Sequence, residues 1–122
     1  VNVEDAFAGC GPRANPAMAW DSARGKLVVF GGKGDAASWN NRLNDTWEWD
    51  GSSWTQIALS GPAARAGHAM AYDSQRTSAV LFGGVDSTGT WLGDTWEYAT
   101  TAPADYVPFG MVAPGERDAG AR

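Results

Sequence analysis

Along residues 67–72 large and small side chains alternate: His68, Met70 and Tyr72 fall on one face, Ala69 and Ala71 on the other. That period of two predicts a β-strand. Asp73-Ser74-Gln75-Arg76 follows, a polar connection of hairpin length. Ala79-Val80-Leu81-Phe82 is wholly apolar, the pattern of a strand covered on both faces. The run stops at Gly83-Gly84, where missing Cβ atoms allow positive φ or close backbone approach. Asp94-Thr95-Trp96-Glu97-Tyr98 predicts a third strand, with Trp96 on one face and Thr95 and Glu97 on the other. Earlier in the chain, Asp50-Gly51 signals a turn, and Trp54-Thr55-Gln56-Ile57 predicts a strand after it. No stretch sustains a 3.6-residue apolar period, so the chain is expected to be all-β.

The pattern occurs twice. Residues 13–32 (RANPAMAWDSARGKLVVFGG) align without a gap on residues 65–84 (RAGHAMAYDSQRTSAVLFGG), an offset of 52 with 12 of 20 positions identical. Asp45-Thr46-Trp47-Glu48-Trp49 matches Asp94-Thr95-Trp96-Glu97-Tyr98 at an offset of 49. The three-residue difference falls between the two blocks and marks a loop of variable length. Self-similarity at a period near 50 is the signature of a repeat architecture.

These residues resemble kelch repeats, the blades of one class of β-propeller. The resemblance rests on Arg13 and Arg65, Gly31-Gly32 and Gly83-Gly84, Trp47 and Trp96, then Asp50-Gly51 and Trp54, and it covers residues 12–104. It implies two four-stranded antiparallel blades, 12–61 and 62–104, forming part of a larger or oligomeric propeller. Segment 1–11 is then an N-terminal strand or blade-closing segment, and 105–122 a C-terminal tail with a candidate closing strand. The second unit departs late: Ala99-Thr100-Thr101-Ala102-Pro103 replaces the Asp-Gly turn and Trp, which leaves its fourth strand to Tyr106 through Phe109. The ending Trp96 to Pro103 resembles the close of some secreted bacterial kelch proteins and implies an extracellular or cell-surface location.

Propellers close with four to eight blades, and isolated repeat units leave apolar faces in water. The expected partners are therefore copies of this chain, or other protein chains, that complete the ring. Segments 1–11 and 105–122 are candidates for strand exchange between chains.

Composition narrows the function. Lys+Arg 9 against Asp+Glu 14 gives a net charge of −5, with the basic residues scattered singly. Nucleic-acid binding needs a basic stripe, so no nucleic-acid partner is expected. The longest apolar runs, such as Leu27-Val28-Val29-Phe30, fall far short of the roughly 20 residues of a membrane span, so no membrane insertion is expected. No charged-then-apolar leader opens the sequence, so any export signal has been removed or never existed. One cysteine (Cys10) and one histidine (His68) cannot assemble a Cys/His zinc site, and no metal or cofactor is expected. Cys10 is either a free thiol or half of an intermolecular disulfide.

The resemblance places the loops joining strands two and three on one face with the inter-blade loops, and ligands of kelch propellers often bind there. The candidate residues are Trp39, Asn40, Asn41, Arg42 and Asn44 in the first unit, Asp86, Thr90 and Trp91 in the second, and Arg65 between them. Trp beside amide side chains and Arg suits stacking on a sugar ring, and equally suits a protein hot spot. Against this stands a plainer reading, in which both Trp residues fold back over neighbouring blades. Arg13 and Arg65 can likewise be structural ion pairs or carbonyl contacts, and His68, replaced by Pro16 in the first unit, a packing residue. No catalytic residue is expected. Kelch-like copper radical oxidases need two His, two Tyr and a Cys at one centre, which this chain lacks. The expectation is a non-enzymatic structural or protein-binding segment of a larger assembly. A carbohydrate-binding module using Trp39 and Trp91 is the alternative, and part of an enzyme completed by other blades the third.

Overall fold

A computed structural model describes residues 13–34, 42–57, 61–99 and 105–109. Cys10, Trp39, Asn40, Asn41 and segment 1–11 lie outside the described residues, as do residues 110–122. The fold is all-β. Strands β1 (Ala17–Asp21), β2 (Lys26–Lys33), β3 (Arg42–Trp49) and β4 (Trp54–Ile57) form one antiparallel sheet in chain order. Strands β5 (Ala69–Asp73), β6 (Ser78–Phe82), β7 (Thr95–Ala99) and β8 (Asp105–Pro108) form a second sheet of the same order.

The first hairpin of each sheet is made by the same side chain. Asp21 Oδ1 accepts from the backbone N–H groups of Ala23 and Arg24, and Asp73 Oδ1 from those of Gln75 and Arg76. Such Asx turns are the reason Asp is favoured there. Gly25 takes the left-handed φ of 68° that closes the first turn; its counterpart Thr77 holds 49° with a side chain attached.

The structure corrects one boundary. The sequence predicts that the second strand ends at Gly31-Gly32, yet β2 runs on to Lys33 through a register shift between Phe30 and Gly32. Both glycines are left-handed, at 71° and 103°. A Cβ on Gly32 would lie 3.0 Å from the Ala14 carbonyl oxygen, and one on Gly84 would lie 2.9 Å from that of Ala66. Close backbone approach is thus what both Gly-Gly pairs serve. The second unit does have a fourth strand despite its divergent sequence: β8 pairs with β7 so that Tyr98 faces Tyr106.

Alternation decides how the sheets stack. Ala19, Val28 and Phe30 on one face of the first sheet meet Ala79, Leu81, Tyr98 and Tyr106 on one face of the second. The Phe30 ring stands edge-on to those of His68 and Tyr106, at 5.6 and 5.5 Å between centroids. Polar contacts cross the same interface. The Thr46 and Tyr106 hydroxyls are 2.9 Å apart, Tyr98 donates to Glu48 at 2.8 Å, and His68 Nε2–H donates to the Phe30 carbonyl at 2.8 Å. Buried polar groups that are hydrogen-bonded in this way fix register as well as contact.

Candidate functional site

The segment joining the sheets is stitched to both. Arg65 N–H donates to Leu43 O and Gly32 N–H to Arg65 O, while Ala66 and Val85 exchange both backbone bonds. Gly67 N–H donates to the carbonyl of Asn15, which sits at φ 53°. These bonds bring Lys33 at the end of β2 and Arg42 at the start of β3 beside the 85–91 loop. Between them lies a cleft of about 310 Å³, lined by Asn15, Lys33, Arg42, Gly67, Val85 and Trp91 among others.

Two of the sequence candidates, Arg42 and Trp91, meet at this cleft. Trp91 is 81% exposed, so it does not fold back over a neighbour. Its position follows from the loop: Asp86 Oδ1 accepts from Thr88 and Thr90 backbone N–H groups and from the Thr88 hydroxyl, and Val85 bridges to Trp91. Asp86 and Thr90 are committed to that turn, and the Thr88 hydroxyl, followed by the Thr90 N–H, holds the Asp86 carboxyl below its usual range. Asn44 is exposed on β3, in the irregular stretch between Leu43 and Thr46, and does not line the cleft. Lys33 and the Ala66–Gly67 wall belong to the cleft and were not singled out in the sequence. Their positions depend on the bulge at Gly31-Gly32 and on the inter-sheet stitching, neither of which leaves a local pattern.

Arg65 is the exception among the candidates. Its side chain is fully buried, and its guanidinium donates to Asp94 at 2.6 and 2.8 Å and to the carbonyls of Gly83 and Ala63. It has no surface for a ligand to touch. Arg13 repeats the arrangement with Asp45 and the Gly31 carbonyl, and Trp47 and Trp96 each donate an indole N–H to the same carboxylates. The bonds from Arg65 hold Asp94 down to about 2. Burial raises the Asp45 carboxyl, but the bonds from Arg13 and Trp47 outweigh it and leave the group below its ordinary value.

A second ion network is also present twice. Arg24 bridges Asp21 and Glu48; Arg76 binds Glu97 through two bonds, and Ser78 adds a third. Glu48 and Glu97 are 4% and 0% exposed, and a buried carboxylate is tolerable because it is paired and hydrogen-bonded. Burial pushes the Tyr98 hydroxyl well above its ordinary value, and its bond to Glu48 adds to this. His68 is buried, and desolvation, with Arg65 nearby, lowers its pKa and keeps the ring neutral. Its Nδ1 has no hydrogen-bond partner among the described residues.

Among the described residues no group of three or more His, Cys, Asp or Glu side chains could hold a metal ion, and no helix is long and apolar enough to cross a membrane. Compared with known families and with curated proteins, the chain matches none.

Proposed function

We propose that this chain is a non-enzymatic structural or protein-binding module, two blades of kelch type acting within a larger assembly outside the cell or at its surface. The observation that carries the reading is the exposure of large apolar side chains on sheet faces. Met18 and Trp20 on β1 are 40% and 56% exposed, and Phe82 on β6 is 53% exposed. Exposed apolar residues that share a sheet face mark an interaction surface, whereas single scattered ones do not. The duplicated ion networks support the same reading. The four arginines and the five acidic groups that accept their hydrogen bonds hold the sheets together, which is work for a scaffold. The reading is tested by native mass from light scattering. A species heavier than 12.8 kDa is expected. A chain that stays monomeric at high concentration, and binds no other protein, refutes it.

One observation favours a second reading. Trp91 stands almost fully in water at the mouth of a cleft that also carries Asn15 and Arg42. An aromatic plane beside an amide and a guanidinium is the chemistry of a sugar-binding site. A glycan array would reveal such binding, and Trp91→Ala would abolish it without disturbing the fold.

A further inference from the structure

The repeat places each core position twice, and the two placements differ in what covers them. Phe30 and Phe82 are counterparts, yet Phe30 is fully buried and Phe82 is 53% exposed. Ala17 and Ala19 are 7% exposed, while their counterparts Ala69 and Ala71 are exposed. On the opposite faces the order reverses. Trp20 is 56% exposed, whereas its counterpart Tyr72 is partly buried against the core. Each sheet thus has two kinds of face. The face of the first sheet that carries Phe30 covers the face of the second that carries Tyr72. Among the described residues, the two faces left open are a Phe82 face and a Trp20 face, the same two kinds.

We infer that the open Trp20 face of one copy receives the open Phe82 face of another, repeating the internal contact head to tail. This rests on the assembly reading above and names the partner and the register. Two internal contacts have direct counterparts. Phe30 packs on His68 and Tyr106; Phe82 packs on Pro16 and Trp54 of the next copy. The bond from Tyr98 to Glu48 is not repeated, because Glu97 is 0% exposed within one chain. Gly32 N–H donates to Arg65 O; Gly84 N–H donates to Arg13 O of the next copy. Room for this exists. A Cβ on Gly31 would strike Arg65 O at 2.8 Å and the His68 ring at 3.1 Å, whereas one on Gly83 meets just Leu92 O at 3.4 Å. Another internal contact has no counterpart, because Pro16 stands where His68 stands and cannot donate to a Phe82 carbonyl. Such a contact joins unlike surfaces, so it closes a ring or continues as a filament.

Two single variants separate this inference from the reading beneath it. Trp20→Glu spoils one open face and Phe82→Glu the other, and both side chains are more than half exposed in one chain. A charge placed in an apolar contact without a partner weakens it by about 100-fold or more. By sedimentation the unaltered chain is expected to assemble, each variant alone to be monomeric, and their equimolar mixture to form a 1:1 dimer through the one intact pair of faces. Assembly of either variant by itself, or a mixture that stays monomeric, overturns the head-to-tail pairing while leaving assembly standing. A monomeric unaltered chain overturns both. Circular dichroism checks each fold, and Met18→Glu and Ala69→Glu address the same two faces if either variant unfolds.

Discussion

The same substitution at two counterpart positions gives the sharpest test of how this chain is covered. Phe30 is fully buried between the sheets, in edge contact with the rings of His68 and Tyr106. Phe30→Ala removes the transfer energy of the ring and leaves a cavity, a loss of about 3–5 kcal/mol. The two aromatic contacts, each about 0.5–1.5 kcal/mol beyond area, place it in the upper half of that range. Phe82 has 53% of its surface in water and no enclosed space to leave behind. Phe82→Ala therefore forfeits about half of the transfer term, roughly 1–1.5 kcal/mol, within one chain. The two variants should differ by about 3 kcal/mol, a large share of the roughly 5–15 kcal/mol that holds a domain folded. The assay is urea unfolding followed by tryptophan fluorescence at several protein concentrations. Any further loss at Phe82 that depends on concentration belongs to assembly, because a partner that binds the folded state stabilises it by mass action. Equal costs at the two sites, independent of concentration, would refute the argument that one face is covered and its counterpart open.

Two further outcomes follow from the ion networks. Asp94 is held down to about 2 by Arg65, so its contribution is fully present above the unfolded carboxyl value and is lost as pH falls toward 2. Asp94 is 41% exposed, and solvent screening limits that contribution to about 1 kcal/mol. Asp94→Asn is expected to be less stable than the unaltered chain at pH 7, with the gap narrowing by that amount between pH 4 and pH 2; a constant gap in an acid titration would contradict it. Tyr98→Phe removes the hydroxyl that donates to buried Glu48 and changes no volume, so it should cost about 1.5–3 kcal/mol in urea unfolding. A cost under about 0.5 kcal/mol would mean that the hydroxyl is not bonded to a charged group.

Much of the fold is legible in the sequence because its cues are local. Alternation at 67–72 gives β5 and its covered face, and Asp21 and Asp73 announce the tight turns by bonding their own backbone. The Gly-Gly pairs are legible as places of close approach, but not the bulge that carries β2 through to Lys33. What is lost is whatever depends on register. Arg13 meets Asp45 and Arg65 meets Asp94 across many intervening residues, and only the pairing of β2 with β3 and β6 with β7 brings them together. The cleft is legible in part, through Arg42 and Trp91, but Lys33 and the Ala66–Gly67 wall join it through the inter-sheet stitching. Trp91 itself could be read either as covering a blade or as standing free, and the Asx turn at Asp86 decides for the second.

The apolar run Ala79-Val80-Leu81-Phe82 has a further consequence. It reads as a strand covered on both faces, yet within one chain Val80 is only partly buried and Phe82 mostly exposed. The pattern in the sequence therefore fits an environment with more in it than a single copy provides. The differences between the units bear on what that addition is. Where the second unit has Tyr98, the first has Trp49, another large aromatic with one donor at its edge. Glu97 is fully buried within one chain, where it accepts from Arg76 and Ser78, so a partner on that face meets Val80 and Phe82 rather than the carboxylate. The head-to-tail pairing inferred above sets the aromatic Trp20 and Trp54 face of another copy's first sheet against that open surface, where packing rather than a bond to the carboxylate makes the contact.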